Sequence, residues 1–328
     1  MWAGSLLNGE GLMVLAGVDI GTLTCRLLIA RVSETGRLQE LRSERRILRL
    51  GEGLDRDDVL LPSAMSRVVA TLREWRRVIG TADVKGEVAV ATHAVRQARN
   101  RDEFLARIQR ETGFEVEIIG GEEEARRTML GIRHGLSAEV SSVLGLDIGG
   151  GSTEFVYDCP GRVSVVHSIE LGVVRLTETV LTRDPPTSDE VATARELIRK
   201  QTAEAQARLG DVGDTLCVGT AGTITTLAAM AQQLPRYQAA RIHNYRLTLD
   251  AVRDLEEDLL RRTHAQRQGL PGLEPGREDV IAAGTLILRG TMETFGFADI
   301  LVSDLGLREG IVLDLAARLG RPVTRDAS

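Results

Sequence analysis

The chain has 328 residues, with 41 Lys and Arg against 47 Asp and Glu and a net charge of −6 at pH 7. That balance argues against a general nucleic-acid or membrane-surface binder, so any anion must be held by local arginines and backbone amides. No apolar run approaches the ~18–20 residues a bilayer span needs, and Cys25, Cys159 and Cys217 fit neither a zinc spacing nor a disulfide framework, which points to a reducing cytoplasm.

Residues 1–12, MWAGSLLNGEGL, lack the basic start of a secretory signal and read as a disordered extension or an over-long start. Residues 14–32, VLAGVDIGTLTCRLLIARV, place Asp19-Ile20-Gly21 and hydroxyl residues between two apolar runs: strand, tight turn, strand. LQELRSERRILRLGEGL (38–54) predicts a third strand leading into a loop rich in arginine and glycine. From Pro62 to Ile79, Met65, Val68, Val69, Leu72 and Val78 share one helical face. GEVAVATHAVRQARN (86–100) reads as a strand ending at Thr92-His93, then a helix start bearing Arg96 and Arg99. A helix over 102–112 closes at Gly113, FEVEIIG (114–120) is a strand, and EEEARRTMLGIRHGL (122–136) is a helix ending near Gly135. A second domain opens at about Val140, with hairpins to roughly 175. A long helix over 188–209 has serine at its N-cap, after an Asp-Pro-Pro loop at 184–186. Helices over 248–264 and 277–296 follow, and 298–319 is a strand, a loop and a closing helix. Strands alternate with helices throughout, which predicts an α/β protein with mixed sheets.

The stretch GLDIGGGSTEFVY (145–157) carries most information. Three glycines weaken a strand interior, but at a tight turn they let the backbone approach a ligand and aim its N–H groups outward. The turn adds Ser152, Thr153, Asp147 and Glu154 to those amides, a mix suited to a phosphate group and a metal-bound water. Asp-Ile-Gly occurs at both 19–21 and 147–149, each time in a strand–turn–strand setting, which predicts two related α/β domains in tandem. CVGTAGTITTLAAM (217–230) reads as a strand entering a glycine loop and then a helix, a second phosphate cradle at Gly222 and Thr223.

With VDIGTLTCRL (18–27), ATHAVRQARN (91–100), GGEEEAR (120–126), LDIGGGSTE (146–154), GTAGTITTLA (219–228) and SDLGLREGI (303–311) in this order, the chain resembles the exopolyphosphatase / guanosine pentaphosphate phosphohydrolase (Ppx/GppA) family over about residues 14–318. The resemblance implies the duplicated, ribonuclease H-like fold of actin and the sugar kinases, with an active cleft between domains. The expected division is 1–136 plus 302–328 for the first domain and 137–301 for the second, with a hinge near 134–140 and 299–306. It further implies Mg²⁺-dependent hydrolysis of a terminal phosphoanhydride, with Mn²⁺ as a possible substitute. The implied substrates are inorganic polyphosphate or guanosine pentaphosphate (product tetraphosphate), and a homodimer is expected. The chain is short for the family, and the expectation is that it holds the two catalytic domains alone. One position departs: the first turn of the family commonly reads Asp-x-Gly-Ser-Asn-Ser, and Leu23 stands where asparagine is usual.

Phosphoanhydride hydrolysis needs an aligned water, a base and positive charge around the transferred group. The family glutamate directly precedes Ala-Arg, so the resemblance selects Glu124 as base over Glu122 and Glu123, whose place at a helix start the helix dipole alone explains. Glu154 is expected to bind metal or order the water, and Asp19 and Asp147 to be metal ligands, with turn caps as the plain alternative. Gly21, Thr22, Thr24, Gly149, Gly150, Gly151 and Ser152 are expected to hold phosphate, with Arg26 and Arg96 as clamps whose planar forks match its oxygens. Arg45, Arg46 and Arg49 line the entrance or form a solvated charged face. His93 reads as a positioned loop histidine, and Arg308 as either a ligand contact or a helix-start residue. Two other functions share the scaffold: an ATP-dependent small-molecule kinase, and a non-catalytic guanosine tetraphosphate sensor. A base placed to activate water favours hydrolysis over the first, and retention of both Glu124 and Glu154 argues against the second.

Overall fold

The computed structural model describes residues 12–137 and 139–320; the expectation for residues 1–11 lies outside them. The first sheet runs in the order β3-β2-β1-β4-β5, from β1 (Met13–Ile20), β2 (Thr24–Val32), β3 (Leu38–Ile47), β4 (Gly86–Ala91) and β5 (Val116–Ile118). The second runs β10-β11-β9-β6-β7-β8, from β6 (Val143–Ile148), β7 (Thr153–Asp158), β8 (Val165–Ile169), β9 (Leu216–Thr220), β10 (Arg246–Thr248) and β11 (Asp299–Val302). Between the strands of the first sheet come α1 (Leu54–Asp57), α2 (Pro62–Gly80), α3 (His93–Gln97) and α4 (Arg101–Thr112). Then follow α5 (Gly121–His134), α6 (Val173–Thr179), α7 (Ser188–Leu209), α8 (Ala221–Ala231) and α9 (Ala239–Ile242). The last are α10 (Leu249–Arg261), α11 (His264–Arg267), α12 (Ile281–Phe295) and α13 (Leu307–Arg318).

The two sheets repeat one topology. In each, an antiparallel three-strand meander is followed by a parallel strand beside the first one: β1 pairs with β2 and β4 as β6 pairs with β7 and β9. The hairpin turns match as well. Gly21 N–H donates to Thr24 O at 3.1 Å, and Gly149 N–H to Ser152 O at 3.0 Å. Asp19 therefore faces Arg26 across its hairpin while Asp147 faces Glu154. Equivalent backbone positions thus carry opposite charges.

Both faces of each sheet are covered, which is why β1 and β6 read as near-continuous apolar runs. On the first sheet, Met65, Val68, Leu72 and Trp75 of α2 pack over Val18, Ile20 and Leu27. Val312, Leu315 and Ala316 of α13 cover the other face, against Leu15, Leu28 and Val32. On the second sheet, α7, α8 and α12 bury one face, and Ala125, Met129 and Ile132 of α5 cover the other against Val143, Val156 and Val218. The chain-terminal helix α13 thus lies on the first sheet and α5 on the second.

Several local expectations are corrected. The hairpins end at Ile169, and Val173 opens a helix, α6. The cap of α7 is Thr187, whose side chain accepts from Glu190 N–H while the Glu190 carboxylate accepts from Thr187 N–H, a capping box; Ser188 is already helical. The predicted helix over 277–296 starts only at Ile281, leaving 272–280 as an irregular strap. Three-residue β10 was too short to show a strand pattern. Among the described residues no helix is long and apolar enough to cross a membrane.

Candidate active site

The two glycine turns face each other across a cavity of about 70 Å³. The first hairpin contributes Asp19, Gly21, Thr22, Leu23, Thr24 and Arg26; the second contributes Asp147, Gly149, Gly150, Gly151 and Ser152. The N-terminus of α8 adds Gly222 and Thr223, and α5 adds Glu124. Among the described residues no acceptor pairs with the N–H groups of Gly150, Gly151 or Ser152. Their carbonyl side is occupied, since Val173 and Val174 at the start of α6 donate to Gly149 O and Gly150 O at 3.0 and 2.8 Å. A turn held by its carbonyls with its amides free is an anion cradle. Ala221 sits at a left-handed φ of 69°, an uncommon conformation for a residue with a Cβ, just where β9 turns into α8. Two close approaches explain two glycines: a Cβ on Gly151 would lie 2.1 Å from the His93 ring, and one on Gly222 would lie 2.1 Å from Arg277 Nη2.

Four carboxylates are buried around this cavity: Asp19, Asp147, Glu124 and Glu154. Burial raises the Asp19 carboxyl to about 6, with Arg26 pulling it down and Asp147 pushing it up. Burial and then Glu154, Asp147 and Asp19 hold Glu124 well above the ordinary carboxylate range, opposed by Arg96. Glu154 is raised to about 7 by burial and Asp147, against hydrogen bonds from Ser152 and Ser168. Burial also raises Asp147. Asp19 Oδ1 and Glu124 Oε2 are enclosed without a hydrogen-bond partner. Buried polar atoms are rarely left that way; acceptors without donors in a cluster of repelling acids mark a place for a cation, a water or both.

Not every expected residue reaches the cavity wall. Arg96 does not line it; its Nη1 donates to Ile119 O at 2.7 Å and lies 3.6 Å from Glu124 Oε2. Glu154 sits behind the wall, accepting from Ser168 Oγ at 2.8 Å. Among the described residues no three His, Cys, Asp or Glu side chains converge on a common metal position, so Asp19, Asp147 and Glu154 do not form a three-carboxylate ligand set. The hard oxygen donors present still suit magnesium, which keeps several waters and binds through one or two carboxylates plus substrate phosphates.

The entrance arginines are not free. Arg45 pairs with Glu274 at 2.7 Å and Arg49 with Asp279 at 2.7 Å, both on the 272–280 strap. Arg46 lies 3.3 Å from Glu44 on the surface. Arg308 is the second residue of α13 and is held by Glu309, Ser43 and, at 3.5 Å, Glu40. His93 is buried and, desolvated and flanked by Arg96, is lowered to about 4, so it is neutral. Leu23 joins the hydrophobic core of the second sheet, so its side chain bridges the two halves instead of gripping an anion.

One functional candidate escapes the sequence reading. Arg277, only 3% exposed, lines the cavity from the strap. Its Nε donates to Glu274 at 2.6 Å and its Nη2 to Thr24 Oγ1 of the opposite hairpin at 3.3 Å. Arg26 is close enough to lower its basicity, with burial the larger cause. Two guanidiniums lining one cavity repel each other, and an anion lying between them would relieve that repulsion.

A model of the Ppx/GppA phosphatase family matches residues 28–319. Exopolyphosphatase 2 of Mycobacterium tuberculosis is 36% identical over 315 residues, covering 92% of this chain and 98% of that protein. Exopolyphosphatase 1 of Mycobacterium leprae is 30% identical over 302 residues, covering 92% and 89%. Among solved structures, a Ppx/GppA family member from Aquifex aeolicus superposes with a TM-score of 0.80 at 33% identity, over 94% of this chain and 99% of that one. An exopolyphosphatase from Cytophaga hutchinsonii gives 0.84 at 26% identity, over 95% and 100%. The repeated topology is the duplicated ribonuclease H-like fold, and on family model, identity and structure together the chain belongs to the Ppx/GppA phosphatase family.

Proposed function

We propose that the protein hydrolyses the terminal phosphoanhydride of inorganic polyphosphate or guanosine pentaphosphate, releasing orthophosphate in the cytoplasm as a homodimer. The observation that carries this reading is the convergence of Arg26 and Arg277 on a cavity walled by free turn amides, opposite the Oε2 of Glu124, which accepts no hydrogen bond. The names of its exopolyphosphatase relatives support the polyphosphate half. The division into 1–136 plus 302–328 and 137–301 is part of the same proposal.

The terminal phosphoryl group sits between the turns, accepting from the amides of Gly150, Gly151 and Ser152 and from the hydroxyls of Thr22 and Thr24. The forks of Arg26 and Arg277 draw off the charge that spreads over its equatorial oxygens as the bond to the leaving phosphate breaks. Glu124 Oε2 accepts a proton from the attacking water; its raised proton affinity makes it a stronger base than an ordinary carboxylate. Arg96 keeps that carboxylate aimed without touching substrate. Asp19 or Asp147, together with the substrate phosphates, would hold Mg²⁺, which would neutralise charge on the phosphate oxygens. Exhaustive chelation should therefore abolish phosphate release, and Mg²⁺ or Mn²⁺ should restore it. Full activity after chelation would remove the metal from the scheme.

Chain length follows from the neighbouring groove of about 210 Å³, which shares Arg26 and Ala221 with the cavity. Its cations other than Arg26 are committed, Arg45 to Glu274 and Arg308 to Glu309, while Asp304 and Glu309 also face it. Few guanidiniums remain for phosphates beyond the first ones. With a length series at fixed ionic strength, kcat/KM per chain end should level off by about ten phosphates, since each added contact would otherwise steepen affinity. A continued rise would reveal a long basic groove. Release from guanosine pentaphosphate in parallel tests which substrate class dominates, and release from neither would refute the proposed function.

A further inference from the structure

Arg277 reaches the cavity on the 272–280 strap, and that strap is gripped by Arg49, from the loop that follows β3 of the first sheet. Arg49 Nη1 and Nη2 donate to the two oxygens of Asp279 at 2.7 Å each, and Nη2 also donates to Gly276 O at 2.8 Å. The Arg49 backbone is equally committed: its N–H and that of Leu48 both donate to Leu23 O at 2.9 Å. Arg49 holds a left-handed φ of 52° while doing so. One residue thus ties the first phosphate turn, through its main chain, to the strap, through its side chain. The base of the strap belongs to the second half, where buried Arg267 donates to Glu278 O at 3.0 Å and Leu259 O at 3.1 Å.

We propose that Arg49 and Asp279 are positioning residues whose ion pair couples closure of the two cavity walls to placement of the Arg277 guanidinium. The proposal rests on the cavity being the phosphate site. The pair is bidentate and its side chains are about one-third exposed, at 33% and 32%, so it is better placed to matter than an open surface pair. Without it, the two halves spend less time in the arrangement where Arg277 meets Thr24. Substrate bridging both walls would draw them together again. Apparent affinity then falls by the lost fraction of closed protein, while turnover at saturation recovers.

The test compares Arg49→Ala, Asp279→Ala, the double variant and the swap Arg49→Asp/Asp279→Arg. Each single change should raise KM about ten-fold with kcat little altered. The double should be no worse than either single, and the swap should bring KM back toward wild type. Additive single effects, a kcat loss in place of a KM rise, or a swap that rescues nothing at unchanged thermal stability would overturn the coupling. Small-angle scattering on substrate-free protein separates this from the functional reading. Arg49→Ala should expand the molecule and the swap should reverse it, whatever the substrate; an unchanged profile would overturn the clasp even if hydrolysis is confirmed. Absence of hydrolysis by the wild type, with the expansion seen, would sink the functional reading and leave the clasp standing.

Discussion

Glu124→Gln is expected to lower turnover by about 10²–10⁴-fold, the range for loss of a general base, with KM changed only a few-fold. The amide keeps the shape of the side chain and removes the oxygen that would take the proton. The same substitution should make the metal-free protein more stable at neutral pH. The buried acids have folded-state proton affinities above their unfolded ones, Asp19 rising from 3.8 to about 6 and Glu154 from 4.5 to about 7. A group raised in this way contributes stability that is present below its unfolded value and lost as pH rises through its folded value. Metal-free protein should therefore weaken as pH climbs from about 4 to about 7, and Glu124→Gln, which removes one mutually repelling charge, should weaken less. Thermal melts in chelator at the two ends of that window, with initial rates in saturating metal, check both halves. A variant keeping more than a tenth of wild-type turnover would remove Glu124 as base. A variant that melts no higher than wild type at neutral pH would show that the four acids do not strain the empty cavity.

The strength and the limit of the sequence reading both follow from what is local. The two Asp-Ile-Gly hairpins were legible because strand alternation, glycine and hydroxyl residues lie within a dozen positions of one another, and the matching turn hydrogen bonds follow from that. Leu23 was visible as a departure but not as a core residue, since its packing partners come from the other sheet. That Arg45 and Arg49 are ion-paired was not legible for the same reason: the carboxylates that occupy them are more than two hundred residues away. Arg96, read as a phosphate clamp, lies 3.6 Å from Glu124 and not on the cavity wall. Its helix, α3, is five residues long, too short for periodicity to say where a side chain points.

Arg277 was missed because it reads as the first residue of the helix predicted over 277–296, no more conspicuous than its charged neighbours, whereas the helix starts only at Ile281. Only the close approach of Gly222 and the hydroxyl of Thr24 reveal it. The expected result of Arg277→Ala is a fall in kcat of about 10²–10³-fold, the loss seen when one preorganised donor to developing charge is removed, at nearly unchanged KM. Saturating substrate should not rescue it, in contrast to the variants of Arg49 and Asp279. Arg277→Lys keeps the charge but loses the planar fork, so it should recover only part of the loss. Truncation also leaves Glu274 without one of its two arginine partners, but Arg45 still holds it, so the strap should stay in place. Gly222→Ala gives an independent check, because the added methyl would overlap Arg277 Nη2 at 2.1 Å and push the guanidinium aside with its charge intact. If Arg277 acts on the transferred phosphoryl group, Gly222→Ala should show the same kcat-type defect as Arg277→Ala, and combining the two should add little. If instead kcat survives in Arg277→Ala while stability drops, the arginine is a structural partner of Glu274 and Thr24, and Arg26 alone carries the positive charge of the site.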